Sequence, residues 1–312
     1  MRITFCGVRG STPAPGADYA RYGGNTSCVA VAHSSAGGQS GNTGAPVLLL
    51  DAGTGLGGVT GLLGGDPFHG TILLTHLHWD HCLGLPFFRG GDRDDARVAL
   101  LLPDQGGSDH GGSDHGGSDQ GEPDEGRDAG GGSADAERLL TRVMSPPFFP
   151  ITPRQLRGDW TFGAISPGQF KAEGFTVEAR EIPHKGGRTL GYRVSDGHRV
   201  LAYVTDHCPT ALGPGADGLG PYHEAVLDLA ADADLLVHDA QLVAEEVPAE
   251  AGFGHAAAEY AVGLALRAGA RRVALFHHKP SRTDDQLDAL AYRFADAPLP
   301  VLVAAEGQTV EL

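Results

Sequence analysis

Short apolar runs, each closed by a small or polar residue, recur along the chain. Those at residues 2–6, 28–32, 47–51, 71–75 and 97–102 are rich in Val, Ile, Leu and Phe and predict strands. A second series follows at 175–182, 190–194, 199–205, 234–238 and 272–277, with polar and apolar residues alternating in Phe175-Thr176-Val177-Glu178-Ala179-Arg180 as one buried face requires. Between the strands lie helix-like stretches at Ala136–Met144, Pro221–Ala230, His255–Ala268 and Asp284–Phe294. Thr283 with Gln286 three residues on forms a capping box for the last of these. Alternating strands and helices predict an α/β chain, and periodicity alone goes no further.

At 312 residues and 41% hydrophobic, the chain can bury a large core. No segment approaches the roughly 18 uninterrupted apolar residues of a membrane span. The opening Met1-Arg2-Ile3-Thr4-Phe5 reads as a first strand and lacks the apolar stretch of a secretion signal, so a cytoplasmic location is expected. Cys6, Cys28, Cys82 and Cys208 are scattered and are expected to be reduced and buried.

Charge is unevenly distributed. Of the net −16, the stretch from Asp104 to Glu137 holds −9, leaving −7 for the rest. That stretch contains a tandem Gly-Gly-Ser-Asp-His repeat starting at Gly106 and has few apolar residues with which to offset ordering entropy. Residues 104–135 are therefore expected to be a disordered loop insertion within a single domain spanning 1–312. The remainder is moderately acidic and lacks the basic stripe of a nucleic-acid binder.

The chemistry concentrates in Thr75-His76-Leu77-His78-Trp79-Asp80-His81. On an extended segment His76 and His78 leave the same side of the backbone, while Asp80 and His81 follow at the turn and can face a second ion. Five further residues stand at or just beyond the ends of predicted strands: Asp51, His184, Asp206, His277 and His278. Each alone reads as a capping Asp or a hydrogen-bonded His. In register with H-x-H-x-D-H they read as a site, because α/β sheets place their sites at the C-terminal ends of strands.

These motifs, with the opening Gly7-Val8-Arg9-Gly10-Ser11-Thr12-Pro13 and Tyr22-Gly23-Gly24-Asn25-Thr26-Ser27, resemble the metallo-β-lactamase-fold hydrolases. The resemblance is to the branch of ribonuclease Z-like enzymes and phosphoribosyl cyclic phosphodiesterases. It implies an αββα sandwich of two mixed sheets flanked by helices. It further implies one metal ion on His76, His78 and His184, a second on Asp80, His81 and His277, and Asp206 bridging them. His277 is preferred to His278 because it stands twenty-two residues after His255, the spacing of that branch. Asp51 is expected to orient the H-x-H-x-D-H loop without ligating. Five imidazoles with carboxylates and no thiolate suit two zinc ions, with manganese or iron as alternatives. Cys208 beside Asp206 is a weaker ligand candidate.

The implied chemistry is attack on phosphorus by a metal-bridging hydroxide held against Asp206 and Asp80, with His255 protonating the leaving oxygen. His255 is expected to open a helix, and Ala256 replaces the hydroxyl residue that usually follows it in the branch, leaving the support of His255 open. Ribonuclease Z-like enzymes carry a basic arm between the third and fourth metal motifs. Only about twenty residues separate His184 from Asp206 here. A small cyclic or linear phosphodiester is therefore the expected substrate. A lactone, ester or thioester, or a tRNA 3′ end, are the alternatives, and a metal-binding protein without activity is a third reading. Ser11, Thr12, Asn25 and Arg193 are candidate pocket residues or turn formers. Phe148 and Phe149 are candidate wall or core residues. Homodimers are common in the branch.

Overall fold

The computed structural model describes residues 1–34, 44–106 and 131–312. Residues 107–130, which hold most of the repeat, lie outside the described residues. On the flanks of the expected insertion, the backbone N–H of Asp104 donates to Ile165 O, and a helix runs over Gly131–Thr141 where Ala136–Met144 was expected.

Among the described residues, fourteen strands form two seven-stranded sheets. The first contains β1 (Arg2–Gly7), β2 (Cys28–Ala32), β3 (Leu48–Leu50), β4 (His69–Leu73), β5 (Arg97–Pro103) and β6 (Asp159–Ile165). The second contains β7 (Gly168–Ala172), β8 (Phe175–Glu181), β9 (Leu190–Ser195), β10 (Val200–Val204), β11 (Leu235–Asp239), β12 (Val273–Phe276) and β13 (Val301–Val303), and β14 (Thr309–Glu311) returns to the first beside β1. Each sheet is antiparallel through four strands and parallel through the last four, with β3 and β10 at the changeover.

Strand periodicity builds the layers. Leu48 and Leu50 face inward with Ile3, Phe5, Tyr203, Val237 and Phe276 into one core between the sheets. The intervening Leu49 and Ile72 turn outward with Leu56 and Val59, under the helix Leu56–Leu62. On the far side Leu236 and Leu275 pack beneath Glu224–Ala230, Ala258–Ala268 and Asp284–Arg293. Apolar residues on both faces of these strands are what a helix–sheet–sheet–helix stack demands. The result is the expected sandwich of two mixed sheets flanked by helices, and the capping box at Thr283 and Gln286 is formed.

Four strands were not legible. β6 and β7 are half-exposed edge strands carrying Gly163, Gly168 and Lys171, so no apolar run marks them, and β13 and β14 are three residues each. One helix boundary is also corrected. His255 does not open a helix; the helix begins at Ala258. The preceding residues stay extended because Leu242 N–H donates to Ala256 O and Ala258 N–H donates to Leu242 O. That tertiary pairing overrides the helix propensity of the alanines.

Candidate metal centre

Nearly every candidate side chain is delivered by the end of a parallel strand. Asp51 follows β3, Thr75 and His76 follow β4, Asp206 follows β10, Asp239 ends β11 and His277 follows β12. The chain must leave the sheet abruptly at these points. Four of the six non-glycine residues with positive φ among the described residues are Ser11 (58°), Asp51 (61°), Asp206 (53°) and His277 (59°). Left-handed backbone is unfavourable for an L-residue, less so for Asp and His, and such residues cluster where a site over-determines them.

Among the described residues three sets of donor atoms converge, the atoms of each lying within 4.8 Å of one another: His76, His78, His184 and Asp206; Asp80, His81, Asp206 and His277; and Asp239, His255 and His277. Asp206 belongs to the first two and His277 to the last two. All the positions expected to ligate therefore meet in one place. His278 does not: its Nε2–H donates to Ala304 O at 2.8 Å, on the other side of the backbone. Cys208 is also apart, with Sγ 3.6 Å from Thr210 Oγ1.

The surrounding hydrogen bonds fix which nitrogen faces inward. His81 Nδ1–H donates to Asp51 Oδ2 at 2.8 Å, leaving the Nε2 lone pair 3.1 Å from Asp206 Oδ1 and 3.2 Å from Asp80 Oδ2. His184 Nδ1–H donates to Gly254 O at 2.9 Å, which turns Nε2 toward Asp206 Oδ2 at 3.6 Å and His78 Nδ1 at 3.4 Å. The Thr75 hydroxyl donates to Asp51 and lies 3.1 Å from His76 Nδ1, so it accepts from that ring. His76 Nε2 and His81 Nε2 are buried without a hydrogen-bond partner. Lone pairs aimed at carboxylate oxygens and at one another repel unless a cation lies among them. This donor set fits divalent metal ions.

Electrostatics points the same way. Burial would raise the Asp206 carboxyl, yet His277, His81 and His76 hold it well below the carboxylate range. Asp80 is lowered against burial by His81 and His277. Burial would lower His277, but Asp206 and Asp80 push it up to about 10, and His81 is likewise raised by Asp206, Asp80 and Asp51. His76 is pushed well down, first by burial and then by His81. A cavity that holds buried carboxylates ionised and stabilises positive charge among them favours cations.

Asp51 is fully buried and belongs to none of these donor sets, though it holds His81, which does. Besides His81 and the Thr75 hydroxyl, it accepts from Thr75 N at 2.7 Å and the Tyr203 hydroxyl at 2.9 Å, tying the loop to both sheets. Asp80 is set by Ser11 N–H at 2.7 Å. The loop bearing Ser11 is anchored by the buried Arg9 guanidinium, which donates to Gly23 O and Arg282 O. Gly10 is required there, since a Cβ would lie 2.5 Å from the His277 ring.

Sequence reading missed Asp239. It is buried, and its Oδ2 accepts from His255 Nδ1 at 2.9 Å and from His207 N at 3.1 Å. This is the support for His255 that Ala256 left open. The run Leu235-Leu236-Val237-His238 ends in an Asp, so the rule that singled out Asp51 and Asp206 would also have found it. Four pocket candidates separate. Ser11 lines the cavity of about 440 Å³ over the two clusters, with Trp79, Lys185, Gln241, Phe253 and His255. Asn25 is bound to Glu306 and Arg193 to Leu229 O and Ala231 O, so both are structural, and Thr12 is exposed in a turn.

Residues 138–278 match the family model described as the beta-lactamase superfamily domain. The chain is 25% identical over 247 residues to a ribonuclease Z of Salinibacter ruber, covering 66% of this chain and 67% of that protein. Among solved structures, the metallo-beta-lactamase fold protein YhfI from Bacillus subtilis superposes with a TM-score of 0.63 at 17% identity, covering 99% of both chains. A diphosphatase from the PhnP family superposes with a TM-score of 0.61 at 17% identity, covering 100% of this chain and 98% of that one.

Proposed function

Proceeding from a chain that has the metallo-β-lactamase fold and matches the beta-lactamase superfamily model over residues 138–278, we propose that it is a dinuclear metal-dependent hydrolase of a small phosphodiester. The observation that carries this reading is the sharing of Asp206 by two ligand clusters, with a third group, His255 held by Asp239, beside them. His76, His78 and His184 would hold one divalent ion, and Asp80, His81 and His277 the other, with Asp206 between them. Zinc suits this imidazole-rich set, with manganese or iron as alternatives. Such ions neutralise the phosphoryl oxygens and lower the pKa of water from about 15.7 to roughly 7.

The protein's own groups do the rest. Asp51, Thr75 and the Gly254 carbonyl hold His81, His76 and His184 in the tautomers that present a lone pair inward. Asp239 accepts from His255 Nδ1, so the ring's other nitrogen is left for the pocket that His255 lines. When the P–O bond breaks, His255 in its imidazolium form keeps Nδ1–H on Asp239, gives the proton of its other nitrogen to the departing alkoxide and is left neutral, a contribution of about 10²–10⁴ in rate. Lys185, also at the pocket, adds a cation for the anionic substrate.

A second reading, cleavage at a tRNA 3′ end, is favoured by the similarity to ribonuclease Z. Against it, β9 and β10 occupy most of the interval between His184 and Asp206, where the basic arm would be inserted. Lactone or thioester hydrolysis would use the same ions without needing His255. The deciding experiment is hydrolysis of bis(p-nitrophenyl) phosphate alongside a precursor tRNA and a thioester, with metal content measured on the same sample. Diester turnover with about two metals per chain is expected. Two metals with turnover only of the tRNA or thioester would replace this reading.

A further inference from the structure

Beside the metal pocket lies a second cavity of about 410 Å³, within the range of small-ligand sites. Its walls are carbon-rich: Trp79, Leu83, Phe87, Val143, Phe148 and Phe149. Among its lining residues Arg142 carries the one charge. Trp79 belongs to both cavities. It stands between His78 and Asp80 in the motif, so its backbone is fixed by the same loop that carries two of the candidate ligands. Its side chain is nevertheless 70% exposed, Phe87 is 64% exposed and Phe148 80%. Phe87 and Phe149 meet edge to face with ring centroids 5.8 Å apart. Large aromatic side chains left together in water mark a binding surface more often than scattered single ones do.

We propose that this groove seats an aromatic, largely apolar ester group of the substrate while its phosphodiester lies at the metal centre, with Trp79 as the wall between the two. The inference rests on the phosphodiesterase reading above. Continuity through Trp79 is what ties the groove to the substrate. The chemistry of the walls selects the group. Four aromatic rings offer faces and edges to another ring, whereas a nucleobase would bring several donors and acceptors to a surface with almost nothing to pair them. An aryl diester is therefore preferred to a nucleotide.

The test combines turnover with binding that needs none. Methyl p-nitrophenyl phosphate and benzyl p-nitrophenyl phosphate share a leaving group and differ in the bulk offered to the groove. The wild-type chain, loaded with zinc, should show a kcat/KM at least tenfold higher for the benzyl ester. Phe148→Ala and Trp79→Ala should bring that ratio toward one. In parallel, calorimetric titration with benzyl methylphosphonate and methyl methylphosphonate, whose poor alkoxide leaving groups keep turnover negligible during the titration, should give the same preference and the same loss in the variants. Thymidine 5′-(p-nitrophenyl phosphate) should fall below the benzyl ester.

Equal kcat/KM values and equal binding of the two probes by the wild type overturn the subsite while leaving the phosphodiesterase reading intact. Preferential benzyl phosphonate binding without turnover of either ester supports the subsite and sinks the phosphodiesterase reading. An unchanged ratio in Phe148→Ala, with a change in elution volume on gel filtration, overturns the proposal by giving this face to a second copy of the chain. Phe148 is so exposed that its truncation should leave the melting temperature within a degree or two, and Phe87→Ala provides an independent variant of the same wall.

Discussion

Asp51→Asn isolates the part of the centre that ligates nothing. The carboxylate accepts from Thr75 N at 2.7 Å and from the Thr75 hydroxyl through Oδ1, and from His81 Nδ1 and the Tyr203 hydroxyl through Oδ2. An amide has one acceptor oxygen. If its nitrogen took the Oδ1 place it would confront the Thr75 backbone N–H, a donor that cannot change. The nitrogen must therefore sit at Oδ2, facing His81. His81 can respond by moving its proton to Nε2, where Asp206 at 3.1 Å and Asp80 at 3.2 Å accept it. The fold tolerates this switch, but a protonated Nε2 cannot ligate. Loss of such an outer partner lowers metal affinity about 10–100-fold, or about 1.4–2.7 kcal/mol. The weakened charge-assisted bond to Tyr203 adds about 1.5–3 kcal/mol of lost folding stability.

The assay is chelator competition resolved into two metal equivalents, together with melting curves with and without zinc. One equivalent should weaken by the stated factor. The other should be retained, because the Thr75 oxygen still accepts from His76. Wild-type affinity at both equivalents in the variant, or equal loss at both, would refute the assignment of His81 and His76 to different ions.

The remaining predictions concern chemistry and packing. His255→Ala should lower kcat about 10²–10⁴-fold with metal content unchanged; loss of metal in that variant would make His255 a ligand. Asp239→Asn should lower kcat in the same direction with KM nearly constant, checked by steady-state kinetics on the same diester. Gly10→Ala should reduce activity and occupancy of the ion at His277, since the new Cβ would lie 2.5 Å from that ring, and metal analysis by mass spectrometry reads this directly. Phe276→Ala removes a buried ring lying 6.0 Å from Phe5 and 5.8 Å from Tyr203, so urea denaturation should report a loss of about 3–5 kcal/mol. Treatment with a strong chelator should abolish diester turnover, and added zinc or manganese should restore it; turnover that survives complete metal removal would end the metal-dependent reading.

The sequence by itself determined the buried strands and the residues at their ends. A strand covered on both faces must be apolar throughout, so Leu48–Leu50 and Val273–Phe276 announce themselves, and the first ionisable residue after each is conspicuous. The H-x-H-x-D-H spacing likewise limits how four side chains can leave a short segment. Edge strands escaped because half-exposed backbone accepts glycine and lysine, as at Gly163 and Lys171. Only the tertiary structure decided the rest. It brought Asp239 under His255, put His277 and not His278 among the carboxylates, tied the Asn25 side chain to Glu306, and kept Ala256 extended against Leu242. Each of these depends on partners well beyond one turn or hairpin, 16 residues apart for Asp239 and His255 and 281 for Asn25 and Glu306, and hydrogen-bond geometry between such segments leaves no periodic trace in the chain that folds into it.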